Sequence, residues 1–251
     1  MKRLKLHQDW LKKLLPEGLS YPTSTLISGP GGSGKPLIGF AFVYDWLKSG
    51  GSVIFITLQY PKTKFVKTSL KRLYDLNVDE YTKKLAYIQF DHDIDTWEKG
   101  NGNTIKANLL KPDVWEEAVN EAEKLLADGG DLGTLLFASA LNLLLFSHTY
   151  RKLNLDKFEK LLSEDKNRTY IFSVSTSAFR EDIKRWEKAA DNLMFARLEE
   201  PMKLYLRIDK MENKKVPSEE IPVPMKKEIL EEIKEVAEST RKREIPKLRK
   251  F

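Results

Sequence analysis

The chain has 251 residues, of which 32% are charged, with a formal net charge of +6 and no cysteine. This length suits one large α/β domain, and the lack of cysteine excludes disulfides, thiolate zinc sites and cysteine nucleophiles. The three histidines are far apart in sequence, which argues against a histidine metal cluster, and no apolar run of about 18 residues predicts a membrane span.

The first predicted elements surround a glycine-rich segment. Residues 23–28 form a β-branched, apolar run that predicts a strand, and residues 36–48 predict an apolar helix that stops at Gly50 and Gly51. A ligand-free glycine turn is the alternative, but strand, loop and helix in this order favour a phosphate-binding loop. The predicted nucleotide-binding residues are Gly29, Pro30, Gly31, Gly32, Ser33, Gly34, Lys35 and Pro36.

Pro36 is the one departure from the pattern G-x-x-x-x-G-K followed by Ser or Thr. In that pattern backbone N–H groups converge on phosphate oxygens, the lysine reaches the β- and γ-phosphates, and the hydroxyl binds Mg²⁺. Proline has neither a hydroxyl nor an N–H, although its fixed φ suits the first turn of a helix. The sequence therefore predicts a cradle for ATP or ADP that lacks its usual ligand for Mg²⁺.

Strands and helices then alternate along the chain. Strands are predicted over residues 52–59, 85–90, 133–139 and 169–175, and helices over residues 63–76, 112–127, 153–164 and 180–190. Asp113 is the expected N-cap of the second of these helices.

The last predicted strands are consecutive. Residues 193–198 and 202–208 predict an antiparallel hairpin at a sheet edge, and residues 96–111, which contain the run Gly100-Asn101-Gly102-Asn103, predict an exposed connection. This order implies an α/β fold with a mostly parallel, doubly wound sheet finished by an antiparallel hairpin. We expect one domain over residues 1–224, followed by a charged helix and a basic tail over residues 225–251.

The basic tail contains most of the excess positive charge. From residue 241 onwards there are six basic residues and one glutamate. This segment is either a solvated, frayed terminus or a contact for a nucleic-acid backbone. The N-terminal segment has no apolar stretch typical of a signal peptide, so we expect a cytoplasmic protein, and the charge-rich composition fits a thermophile.

Taken together, the early phosphate loop, the strand at residues 53–59, the strand that ends near residue 139 and the segment at 206–211 resemble the RecA superfamily. The resemblance is closest to archaeal KaiC-like and RadA-paralogue ATPases and covers roughly residues 8–224. It implies a RecA-like P-loop fold, ATP bound between subunits, and assembly into a homo-oligomer. Lys35 corresponds to the family's phosphate-binding lysine, and Pro36 to its Mg²⁺-binding Ser or Thr.

Other functional positions of the family are changed here. Where the family has a glutamate that activates water, this chain has Gln59 and Tyr60, and a carboxamide cannot act as a general base. Where the family has an aspartate before a serine, Ala138 precedes Ser139, and an alanine methyl cannot support Mg²⁺.

The late family segment Lys-Met-Arg, whose cations reach a neighbour's γ-phosphate, is also changed. Lys210 and Met211 are kept, while Glu212 replaces the arginine. Lys210 is therefore the predicted inter-subunit phosphate contact. A carboxylate at position 212 would repel phosphate.

These departures lead to a main hypothesis and two alternatives. The main one is an inactive or very weak ATPase that works as a nucleotide-binding or regulatory protein. An active ATPase could instead recruit Asp91, Asp93 or Glu17 to replace the missing groups, although an acidic turn is the simpler interpretation of the first two. The third hypothesis is a RadA-paralogue-like module that binds single-stranded DNA through its basic tail.

Overall fold

The computed structural model describes residues 2–59, 63–212 and 219–251, and the fold in these ranges is built around one large sheet. The helices are α1 (Asp9–Leu14), α2 (Lys35–Lys48), α3 (Thr63–Tyr74), α4 (Pro112–Glu123), α5 (Arg151–Glu164), α6 (Arg180–Ala189) and α7 (Lys227–Leu248). The strands are β1 (Lys2–Leu4), β2 (Leu19–Tyr21), β3 (Ser24–Ser28), β4 (Ser52–Thr57), β5 (Leu85–Phe90), β6 (Trp97–Lys99), β7 (Thr104–Ala107), β8 (Thr134–Ala138), β9 (Thr169–Ser173), β10 (Asn192–Glu199), β11 (Lys203–Lys210) and β12 (Ile221–Val223).

The large sheet has the order β12-β11-β10-β3-β9-β8-β4-β5-β7-β6. The strands from β10 to β7 in this order are parallel, whereas β11, β12 and β6 are antiparallel to their neighbours. Strands β3, β4 and β9 are buried along their whole length, because helices cover both faces of the sheet. The predicted fold class, a mostly parallel α/β sheet with an antiparallel hairpin near its end, is confirmed.

Each face of the sheet has its own hydrophobic core. Helices α1, α2 and α3 pack on one face, where the rings of Phe55 and Phe137 lie 4.7 Å apart. Helices α4, α5 and α6 pack on the other, where the rings of Trp115 and Phe158 also lie 4.7 Å apart, edge to face. The two cores fix the sheet between two helical layers, so the loops at the ends of its strands are held on a rigid support.

Residues 96–111 are not the exposed connection that the sequence predicted. They contain the hairpin of β6 and β7, and Ile105 and Ala107 are fully buried. The glycines and asparagines between these strands form its turn, while the apolar residues that follow fill the core under α4. The predicted N-cap was also wrong, because α4 begins at Pro112 and its N-cap is Lys111.

Helix α7 includes much of the segment that the sequence presented as a basic tail. It continues to Leu248, whose side chain is fully buried, so a frayed terminus is the wrong description of residues 241–248. Leu230, Ile233 and Ala237 are also buried and form one apolar face of the helix. Of the described helices, none combines the length and the apolar character needed to cross a membrane.

Candidate functional site

The glycine-rich loop lies at the carboxyl end of β3, where the sheet's central strand meets α2. Gly29 has φ of +149°, and a Cβ there would lie 2.0 Å from the carbonyl oxygen of Ala196 on the neighbouring strand. Only glycine therefore fits at this position. The loop is further fixed by the N–H of Gly31, which donates to Ser177 Oγ at 2.9 Å, and by Ser33 Oγ, which donates to the carbonyl of Pro30 at 2.8 Å.

The side chain of Lys35 lies inside the curve of the loop. Its ammonium donates to the carbonyl of Gly29 at 3.0 Å, to Ser33 Oγ at 2.9 Å and to the carbonyl of Pro30. The lysine is only 5% exposed. Burial, and then the positive charge of Arg241, lower the pKa of Lys35 to about 7. The structure thus places a buried cation where the sequence predicted the phosphate-binding lysine.

Helix α7 crosses this edge of the sheet and covers the loop. A Cβ added to Gly31 would lie 2.7 Å from Arg241 Nη1, and one added to Gly34 would lie 2.9 Å from Leu230 Cδ2. A Cβ added to Gly32 would lie 3.5 Å from Cγ of Lys234. The helix therefore touches the loop at three points along its length.

A cavity of about 40 Å³ remains between the loop and α7. Among the described residues that line it there is no carboxylate, whereas Lys35 and Arg241 are both cationic. The lining residues are Gly31, Gly32, Ser33, Gly34, Lys35, Pro36, Gln59, Ala140, Asn142, Leu143, Ser173, Ser175, Ile233, Ala237 and Arg241.

Pro36 and Gln59, two of the positions at which the sequence departs from the family it resembles, line this cavity. Gln59 follows β4 and is 8% exposed; its correspondence to a water-activating glutamate remains a prediction. Ala138 ends β8, two strands from β3, and Ala140 after it lines the cavity with φ of +56°. Tyr60, the other residue considered for the glutamate position, lies outside the described residues.

The alternative acidic residues lie elsewhere. Asp91 follows β5, which is four strands from β3, and four inter-strand spacings of about 4.8 Å amount to roughly 19 Å. Its carboxylate accepts from the N–H of Asp93, while Glu17 pairs with Arg3 at 2.9 Å. Among the described residues, no three His, Asp or Glu side chains are grouped so that they could hold a metal ion.

Lys210 lies at the other end of the strands from the loop, beside the amino end of β10. It pairs with Leu193 at the start of β10, and its ammonium donates to the carbonyls of Lys188 at 2.9 Å and Ala190 at 2.6 Å. Within one subunit this lysine binds the end of α6 and is remote from Lys35. Its predicted contact with a neighbour's phosphate remains a prediction.

The fold and the loop together define the class of this molecule. The parallel sheet, the loop after β3 and the lysine enclosed by that loop are those of a P-loop domain of the RecA type. The sequence profile of the KaiC ATPase family matches residues 9–122. No curated protein matches the chain.

Two solved structures have a fold similar to that of this chain. A KaiC-like protein from the hyperthermophilic archaeon Pyrococcus horikoshii superposes with a TM-score of 0.65 at 18% identity, covering 90% of this chain and 96% of its own. An uncharacterised P. horikoshii protein, solved in complex with an unknown peptide, gives a TM-score of 0.63 at 18% identity, covering 88% and 96%. Residues 9–122 are therefore similar to the KaiC ATPase family, and the fold of the chain is that of these KaiC-like structures, in agreement with the resemblance seen in the sequence.

The sequence interpretation missed Arg241, which α7 brings to the site, and Asn142 and Ser175, which follow β8 and β9. The sequence alone suggests a solvated tail or a nucleic-acid contact for Arg241 and no role for the other two residues. A signal for the helix was present, because Leu230, Ile233 and Ala237 recur at helical spacing and such a face requires a surface to cover it. The sequence does not reveal that this surface is the phosphate loop.

Proposed function

We propose that this protein is a KaiC-like P-loop protein that hydrolyses ATP very slowly or not at all and acts by binding and regulation. The observation that carries the proposal is the chemistry around Lys35. Pro36, Gln59 and Ala138 stand at or next to the cavity, where the family has a hydroxyl and two carboxylates. Without a general base and Mg²⁺ ligands, phosphoryl transfer loses groups that each contribute orders of magnitude in rate.

The geometry also weakens the hypothesis of an active enzyme with substitute groups. Asp91 is roughly 19 Å from the loop by strand spacing, and Glu17 is engaged by Arg3. Neither lines the cavity beside Lys35. Self-association, which the family resemblance implies, is part of the proposal, and light scattering of the purified protein would measure it.

The test is ATP hydrolysis by the purified protein with Mg²⁺, compared with the Lys35→Ala variant. We expect the two rates to be equal within error, because none of the described residues that line the cavity is a carboxylate that could activate water. A native rate at least tenfold above that of Lys35→Ala would overturn the proposal. If hydrolysis were found, Asp91→Ala would show whether this carboxylate supplies it.

A further inference from the structure

The cavity beside the loop does not fit a nucleoside triphosphate while α7 is in place. Its volume is about 40 Å³, whereas pockets that enclose drug-sized ligands have about 300–1,000 Å³. One water molecule needs about 10–15 Å³ on the same scale, so the cavity has room for about three. That is the size range of a single tetrahedral oxyanion.

The charges around the cavity favour an anion of that size. Lys35 lines it from the loop and Arg241 from α7, and the nearness of these two cations is unfavourable unless an anion lies between them. An anion that enters would take over ammonium donors that now bind two carbonyls and a hydroxyl of the loop itself. Among the described residues, Arg241 has no carboxylate partner and no hydrogen bond. Its guanidinium presents several N–H donors in a planar fork that matches a phosphate or sulfate group.

Neutral donors complete the surroundings. The loop begins α2, so its backbone N–H groups and the positive end of the helix dipole face the same space. The hydroxyl of Ser175 lies within 3.4 Å of a Cβ placed on Gly31, and Gln59 and Asn142 also line the cavity. These groups can hydrogen-bond to an anion without adding negative charge.

We propose that α7 is part of the binding site, and that Arg241 and Lys35 together hold one free tetrahedral oxyanion, such as inorganic phosphate, in place of a nucleotide. The inference rests on the proposed function, since it assigns a ligand to the same non-hydrolysing site. The structure supplies two separate reasons: α7 leaves too little space for a nucleotide, and its arginine adds a second cation beside the loop lysine. A nucleotide can enter only if α7 leaves the loop.

The test measures binding of inorganic phosphate and of ATP by isothermal titration calorimetry, using the full chain. We expect one phosphate per chain, and at least tenfold weaker binding by Arg241→Ala. Lys242→Ala is the matched control, because it removes the same charge from the exposed neighbouring position and should change the affinity less than twofold. Native ATP binding should be at least tenfold weaker than phosphate binding.

Three results would overturn the inference. They are the absence of phosphate binding at millimolar concentration, equal effects of Arg241→Ala and Lys242→Ala, or ATP binding tighter than phosphate binding. If Arg241→Ala fails to fold, Arg241→Lys serves instead; it keeps the charge but not the planar fork and should weaken phosphate binding about threefold or more. Absence of phosphate binding without hydrolysis would defeat this inference alone, whereas robust hydrolysis would defeat the proposed function.

Discussion

At the scale of single residues, the chemistry of the candidate site depends mainly on the surroundings of Lys35. Lys35 is 5% exposed and donates to two backbone carbonyls and a hydroxyl, and no carboxylate among the described lining residues balances its charge. Burial disfavours the ammonium form, and Arg241 adds to this effect. The loop therefore holds a cation that would be more favourably placed beside an anion.

This environment predicts a dependence of stability on pH. The pKa of Lys35 is about 7 in the fold, below its ordinary value of 10.5, so the unfolded chain holds more protons between these pH values. The contribution of this group to the free energy of unfolding should therefore rise with pH from about 7 to 10.5, by up to about 1.4 kcal/mol per pH unit. Lys35→Met should remove this slope in urea denaturation measured from pH 6.5 to 9.5.

Lys152→Met is the control for that measurement, because Lys152 is exposed on α5. The Lys152→Met variant should show the same pH dependence of the free energy of unfolding as the native chain. An identical pH dependence in the native chain and in Lys35→Met would show that the lysine is not kept in an unfavourable charged state.

The residue scale also shows what the sequence could reveal about the site. Gly29, Lys35 and Gln59 were predictable, because each belongs to a local motif or follows a strand at its carboxyl end. Arg241 was not predictable, since its role depends on where a distant helix packs. Local spacing contains no information about that contact.

At the scale of elements, α2 is fitted closely to the sheet beneath it. A Cβ on Gly39 would lie 2.0 Å from Phe137 Cε2, so the helix backbone rests directly on a ring of β8. The same ring packs against Phe40 and Phe55. This contact fixes α2, and with it the loop that begins the helix.

Gly39→Ala should therefore destabilise the fold by about 1–3 kcal/mol, because the added methyl overpacks a rigid aromatic core. Within a helix the same change ordinarily stabilises by about 0.5–1 kcal/mol, so the sign of the effect tests the contact. Chemical denaturation would measure it, with Lys48→Ala on the exposed end of α2 as the control. The double variant with Phe137→Leu should recover part of the loss, and a stabilising single change would contradict the packing.

Elements with a strong local pattern were predicted well, whereas elements defined by their partners were not. Strands β3, β4 and β9 are buried on both faces, so their apolar runs are visible in the sequence. The short strands β6 and β12 have three residues each, and their identity depends on pairing with β7 and β11. Short strands of this kind leave no periodicity to detect.

At the scale of the whole molecule, α7 ties the ends of several strands together. Its first half packs near the loop through Leu230 and Ile233, while Glu244 near its end lies 3.4 Å from Nε2 of His92, just beyond β5. The helix thus spans the carboxyl edge of the sheet. It is the element whose movement would open or close the candidate site.

Leu230→Ala should loosen α7 without unfolding the sheet. Removing a buried leucine side chain costs about 2–5 kcal/mol, and here the loss falls on a contact between the helix and the loop. We expect hydrogen exchange of the α7 amides to become at least tenfold faster, with the amides of β3 and β9 changed less. Glu235→Ala, at an exposed position of the same helix, should leave exchange unchanged; equal acceleration in helix and sheet would show that α7 does not open on its own.

The contact between Gly31 and Arg241 also affects the order in which the chain folds. These residues are roughly 200 positions apart, and contacts between such distant parts of a chain form late and slowly because long loops must close first. The parallel strands between them have to pair before the last helix has a surface on which to settle. Completion of the anion cavity is therefore an expected final step of folding, and a fluorescent probe at residue 242 would report it as a phase slower than the burial of Trp115.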